Sequence, residues 1–159
     1  MVGFADSDFA NDKDDGKSIS GYIYQLNGNT ISWRSKKRSR KVPTSTTEAE
    51  LFAMAYTAKH MLWLQEALRE LQPHQQPVDS TLYGDNQGTL NLVQNHKCGD
   101  LTKHVVINYH FLRNLVLERG CFDIQHVPST ENLADICTKG LAKPQYDKLR
   151  NLIMKHDEE

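Results

Sequence analysis

Between residues 18 and 26 the side chains alternate at a period of two. Ile19, Gly21 and Ile23 face one way, while Tyr22, Tyr24 and Leu26 face the other. With β-branched and aromatic residues, that pattern predicts a strand. Gly3 to Phe9 reads as a shorter strand before it, separated by the turn of residues 11–17, which carries Asp12, Asp14, Asp15 and Gly16. Asn27-Gly28-Asn29 is a tight-hairpin signal, so Thr30 to Arg34 continues as a third strand. The period changes at Thr44. Leu51, Met54, Ala55, Ala58, Met61, Leu62 and Leu68 recur at helical spacing up to Leu71, behind possible N-caps at Thr44 to Thr47. Thr81 to Tyr83 is then a strand, Asn86 to Gln94 a helix, and Lys103 to Glu118 another helix, ended by Gly120. Phe122 to Val127 is the last strand, before a short helix at Leu133 to Thr138 and a final one from Gln145 to Lys155. Strands interleaved with helices after a hairpin start imply an α/β domain with a mixed sheet. Trp33, Trp63, Met54 and Met61 are assigned to its core.

The 159 residues suit one domain, placed at 1–155, with an acidic tail at 156–159 expected to fray. Hydrophobic residues make up 38%, enough for a buried core and too many for a disordered chain. The longest unbroken apolar stretch, Leu51 to Tyr56, is far short of a membrane span, and no signal-peptide pattern opens the chain. Three widely spaced cysteines, Cys98, Cys121 and Cys137, fit a reducing compartment better than a disulfide scaffold. Net charge is −1, so any nucleic-acid partner must be met by a local patch.

The carboxylates carry the chemical signal. Asp6 lies among apolar strand neighbours, where an unpaired charge is costly. Asp85 ends the fourth strand. If the crossover through the long helix is right-handed, that strand can pair parallel to the first and bring Asp85 beside Asp6. Carboxylates so close raise each other's pKa unless a cation neutralises them. Glu50 in the first turn of the long helix and Asp135 in the short helix add hard oxygen ligands of the kind Mg²⁺ takes. Each residue also has a structural alternative. Asp85 could be an N-cap. Ser45-x-x-Glu48 and Thr47-x-x-Glu50 both fit capping boxes, and Asp135 could serve only the helix dipole. Arg34 to Lys41 holds six basic residues in eight, either a solvated or nuclear-localisation segment or a phosphate-holding one beside the carboxylates. His96, Cys98 and His104 admit a zinc-stabilised interaction domain, although their spacing matches no common finger.

Seven segments then occur in order: Asp6-Ser7-Asp8-Phe9-Ala10, Lys17-Ser18-Ile19-Ser20-Gly21-Tyr22, Ile31-Ser32-Trp33-Arg34-Ser35-Lys36-Lys37, Ser45-Thr46-Thr47-Glu48-Ala49-Glu50, Asp85-Asn86-Gln87, Lys103-His104 with Tyr109-His110-Phe111, and Glu131 to Lys139. Together they resemble the ribonuclease H domain of copia-type LTR retrotransposon polyproteins, over residues 3 to about 150. The resemblance implies an RNase H-like fold, a five-stranded mixed sheet of order 3-2-1-4-5 flanked by helices. It implies Asp6, Glu50, Asp85 and Asp135 as catalytic, metal-binding residues, leaving Glu48 for capping, and two Mg²⁺ ions about 3.5–4 Å apart, with Mn²⁺ as the alternative. The activity implied is cutting of the RNA strand of RNA–DNA hybrids to 5′-phosphate and 3′-hydroxyl ends. Lys36, Lys37, Arg38, Arg40, Asn86, Gln87 and Ser7 are the candidate nucleic-acid contacts. The implied partners are the hybrid and the reverse transcriptase polymerase domain of the same polyprotein, with no membrane and a monomeric isolated domain. The implied place is intracellular, in a cytoplasmic virus-like particle or the nucleus. A catalytically inactive hybrid-binding module of the same fold is the alternative. Three departures stand out: Phe9 where tryptophan is common, Val105-Val106-Ile107 without the usual acidic residue, and Val42-Pro43-Thr44 before the long helix. Cellular RNases H carry a mobile histidine in a loop before the last aspartate. Here the nearest candidate, His126, falls in the strand.

Overall fold

The computed structural model describes residues 1–9, 18–37, 43, 45–95 and 103–154. Five strands form one sheet: β1 (Val2–Asp8), β2 (Ile19–Leu26), β3 (Asn29–Lys37), β4 (Thr81–Gly84) and β5 (Asp123–His126), in the order β3-β2-β1-β4-β5. The first three are antiparallel, and β4 and β5 add in parallel. The β2–β3 turn is closed by Asn27 and Gly28, both at positive φ (52° and 81°), which a two-residue hairpin of this hand requires. The third strand runs three residues past the predicted Arg34. Lys36 and Lys37 pair with Ser20 and Ile19, and an edge strand can carry such charges because one side of it faces water.

Helices cover both faces. On one lie α1 (Thr46–Leu71), α2 (Gln87–Gln94) and α3 (Lys103–Arg113). There Leu51, Met54, Ala58 and Met61 of α1 pack with Ala5, Tyr22, Tyr24 and Leu82 of the sheet. On the other face, α4 (Lys143–Ile153) and the segment 129–137 bury Ile23, Leu133 and Leu149 against Phe4 and Ile136. The predicted short helix is two 3₁₀ turns, Ser129–Glu131 and Leu133–Cys137. Its bonds run three residues back, from Asn132 N to Ser129 O and from Asp135 N to Asn132 O, the tighter winding common in short pieces. The predicted 103–118 helix leaves α geometry at Asn114 for a π turn, before Gly120 reverses at φ 58°. The last helix begins two residues before the predicted Gln145, because Pro144 fits its first turn.

Met54 and Met61 are buried as expected, but Trp33 and Trp63 are not core residues, being 69% and 61% exposed. Trp33 sits on the edge strand and Trp63 on the outer flank of α1, so apolar periodicity alone misassigns both. The acidic turn 11–17 and the tail at 156–159 lie outside the described residues. No helix among the described residues is long and apolar enough to cross a membrane.

Candidate active site

The sheet order brings β1 and β4 side by side in parallel, with Phe4 opposite Tyr83. Two residues further along each chain, Asp6 and Asp85 emerge at the same end of the sheet. From the other face the 3₁₀ turn delivers Asp135. One carboxylate oxygen from each of Asp6, Asp85 and Asp135 lies within 4.8 Å of the others. Glu50, in the first two turns of α1, is buried beside them, and its Oε1 accepts the backbone N–H of Ser7 at 3.2 Å. That bond ties α1 to β1 and takes Glu50 away from the capping role left open above. The α1 cap belongs to Ser45, whose hydroxyl accepts from Glu48 N. Asp85 is likewise no N-cap: Asn86 caps α2 by accepting from Thr89 N at 2.9 Å. Neither Glu50 nor Asp85 is thus a helix cap.

Asp135 reaches the cluster because the 3₁₀ segment lies close on the sheet. Gly21, the β2 partner of Asp6, makes this possible. A Cβ there would come within 2.7 Å of Cys137 Cβ and 2.8 Å of Thr138 Cγ2. Through this contact Thr138 donates its hydroxyl proton to Asp6 Oδ2. Asn132, fully buried, donates to Ala5 O at 3.0 Å and accepts from Ala134 N. Ser129 donates to Asp85 Oδ2 at 2.6 Å. Lys139 bridges two of the acids, 3.0 Å from Asp6 Oδ1 and 2.9 Å from Asp135 Oδ1.

These contacts set the electrostatics. Burial, then Asp6 and Asp85, pushes Glu50 well above the usual carboxylate range against the Ser7 bond and Lys139. Burial and Asp6 push Asp135 up to about 6, against Lys139. Burial works against the Lys139 ammonium, yet Asp6 and Asp135 raise its pKa overall. The Cys137 thiol, pushed up to about 11 by burial and Asp6, stays protonated at neutral pH. Among the described residues, the four acids thus have one ammonium, Lys139, paired with them, and two of them hold their protons more tightly than usual. Such a set of hard oxygens, short of positive charge, fits a divalent cation.

The candidate contacts to nucleic acid are distributed differently. Lys36 and Lys37 are exposed at the far end of β3. Arg38 and Arg40 lie outside the described residues. Asn86 is committed by its oxygen to the α2 cap, and Gln87 donates to Asn91 Oδ1 at 3.0 Å on the exposed start of that helix. Ser7 is buried on the α1 side of β1, with its hydroxyl unpartnered among the described residues. His126 is in β5 as expected, its Nε2 3.2 Å from Asp85 O. Of the zinc candidates, His96 and Cys98 are outside the described residues and His104 is exposed on α3. The metal-competent group found among the described residues holds only aspartates. Lys139, Thr138, Ser129 and Asn132 were not foreseen as site residues. A signal existed for Lys139, four residues after Asp135 in a segment that winds back on itself. Asn132 is locally legible only as a cap of the segment it precedes, and Ser129 gave no signal, because Ala5 and Asp85, their partners on the sheet, are distant in sequence.

No protein-family model matches the chain. It is 35% identical over 156 residues to the retrovirus-related Pol polyprotein from transposon TNT 1-94 of Nicotiana tabacum, covering 98% of this chain and 11% of that protein. The chain therefore spans about a tenth of the length of that relative. Among solved structures, RNase H1 from the halophilic archaeon Halobacterium salinarum NRC-1 is similar at a TM-score of 0.62 and 16% identity, over 92% of this chain and 97% of that one. LC11-RNase H1 in complex with RNA/DNA hybrid is similar at a TM-score of 0.59 and 14% identity, over 86% and 92% of the two chains. Identities this low speak for the fold alone.

Proposed function

The chain belongs to the retrovirus-related Pol polyproteins of transposons and has the ribonuclease H fold, and from that premise we propose that it is a metal-dependent ribonuclease H. Its substrate is an RNA–DNA hybrid, and it adds water across the P–O3′ bond of the RNA strand, leaving 5′-phosphate and 3′-hydroxyl ends. The observation that carries this reading is the convergence of Asp6, Asp85 and Asp135 within 4.8 Å, with Glu50 buried beside them.

Asp6, Glu50, Asp85 and Asp135 are the residues that would hold two Mg²⁺ ions. When bound, such ions supply an activated water on one side of the phosphorus and charge stabilisation for the leaving oxygen on the other. The chain's own groups do the positioning. Ser129 fixes the rotamer of Asp85, and Thr138 that of Asp6. Asn132 holds the segment carrying Asp135 on β1. Lys139 offsets the repulsion between Asp6 and Asp135. Among the described residues, the thiol beside the acids is no nucleophile, since Cys137 is turned to Tyr22 O and remains protonated. Lys36 and Lys37, with Arg38 and Arg40 of the same run, supply positive charge for the phosphates of the hybrid. In the polyprotein the activity serves reverse transcription beside the polymerase domain, in a cytoplasmic particle or the nucleus, with the isolated domain a monomer.

A labelled hybrid tests the reading, set against single-stranded RNA and duplex DNA, with and without chelator. Cutting confined to the RNA of the hybrid and stopped by chelator is expected. Hybrid bound but left intact in Mg²⁺ and Mn²⁺ would favour the inactive module instead.

A further inference from the structure

A column of rings climbs from the core to the surface between α1 and the β2–β3 hairpin. Tyr22, buried in β2, stacks on His60 of α1 at 5.0 Å and 28°, and His60 stacks on Trp63 at 5.3 Å and 18°. Ser32 of β3 hydrogen-bonds His60 Nε2 at 3.1 Å and fixes the middle ring. The outermost ring, Trp63, is 61% exposed. Tyr56, one turn before His60 and two before Trp63 on α1, has Arg34 and Lys36 standing over its ring at 5.6 and 5.7 Å. Both cations are exposed, and neither is in an ion pair among the described residues.

We propose that this surface binds an unpaired nucleic-acid strand continuing from the hybrid, with a base stacked on Trp63 and phosphates held by Arg34 and Lys36. The inference rests on the ribonuclease reading for where the hybrid lies. Charge and shape together favour this occupant. An apolar protein partner would be served by Trp63 alone and would have to bury two cations that have no carboxylate partner among the described residues. A nucleic-acid strand uses both features, since phosphates meet the cations and any base offers a face to stack. Burial, then Arg34, holds the His60 imidazole below its ordinary pKa, so the middle ring stays neutral and adds no charge to the column.

The dimensions suit a strand leaving the site. Ser35, between the two cations, is aligned through Gly21 with Asp6, two strand spacings or about 10 Å away. Trp63 lies thirteen residues beyond Glu50 on α1, roughly 20 Å along the helix, or about six nucleotide steps at 3.4 Å each.

The test uses the whole chain, in chelator so that nothing is cut, and compares by fluorescence anisotropy a blunt hybrid with one carrying an oligothymidylate extension of about six nucleotides at either end. The extension should tighten binding about 5- to 100-fold, the range one base–aromatic stack supplies. Trp63→Ala should remove the larger part of that gain, leaving what Arg34 and Lys36 supply, while Trp63→Phe keeps most of it, with affinity for the blunt hybrid unchanged in both. In Trp33→Phe, which leaves Trp63 as the sole tryptophan, oligothymidylate should quench the emission. An extension that adds nothing, or a gain undiminished in Trp63→Ala, overturns the proposal. Cutting of blunt hybrid is scored separately in Mg²⁺, so a failed strand surface and a failed ribonuclease reading give different results.

Discussion

The Asn132 side chain donates to the carbonyl oxygen of Ala5 at 3.0 Å, the residue before Asp6. Its oxygen accepts from Ala134 N, the residue before Asp135. One fully buried amide therefore fixes the spacing of two acids 129 positions apart in the chain. Asn132→Ala would leave a buried carbonyl and an N–H unsatisfied, at about 1–3 kcal/mol each. The melting temperature should fall by about 5–10 °C, and hybrid cutting should fall more than the loss of folded protein explains. Calorimetry and cleavage rates below the melting range would check both.

Gly21 is required for what it lacks. A β-carbon would collide with Cys137 and Thr138, and these end the turn that carries Asp135 towards Asp6. Gly21→Ala is expected to lift the 3₁₀ segment by a few tenths of an ångström or more and to cost about 1–3 kcal/mol, as overpacking does. Activity should drop at least tenfold in a folded protein, because displaced ligands lose their common centre. A variant with undiminished cutting would show that the close approach is not needed.

How much of this was legible in the sequence depended on the range of the interaction. The hairpin at Asn27-Gly28, the strands, and α1 are written in local periodicity and turn chemistry, and they appear within a few residues of expectation. The pairing of β1 with β4 followed from the handedness of one crossover, and the sheet order followed from the family resemblance. Trp33 and Trp63 failed because hydrophobicity was read as burial, while an edge strand and a helix flank leave both in solvent. Asn132, Ser129 and the Gly21 contact escaped because each pairs with a residue brought near only by the finished fold. The 3₁₀ winding of 133–137 escaped because five residues are too few to show a period.

Asp85 has no structural duty beyond the pocket, since Asn86 caps α2 and the Ser129 bond spans the surface. Asp85→Asn keeps the shape and removes one negative charge. Cutting should fall by a factor of 10³ or more, on the scale expected when transition-state electrostatics are removed, with a melting temperature in chelator equal to or above that of the parent. Undiminished cutting would refute the assignment of the acids.

Lys139 is the cation nearest the acids when no metal is bound. In Lys139→Met, Asp6 and Asp135 lose their shared partner. The metal-free fold should lose about 1–3 kcal/mol at pH 7, less than for a fully buried pair because Lys139 is 31% exposed. Mn²⁺ measured by calorimetry should then bind about tenfold tighter or more, a competing charge having been removed from the oxygens. Weaker Mn²⁺ binding in this variant would show that the ammonium organises the acids rather than rivals the metal.

Acid should stabilise the metal-free protein. Asp135 is pushed up to about 6 from an ordinary 3.8, chiefly by burial and Asp6, and Glu50 is raised in the same direction. A raised carboxylate pKa means that the folded state binds more protons than the unfolded chain between the two values. Stability therefore falls as pH rises through that window. For Asp135 the window runs from about pH 4 to about 6. In chelator, melting temperature should decline across this range. With excess Mg²⁺ the slope should reverse, because the ion binds the deprotonated acids and stabilises the fold as pH rises. The same slope with and without Mg²⁺ would mean that these four carboxylates do not hold the ion, and the cause of their crowding would have to be sought elsewhere.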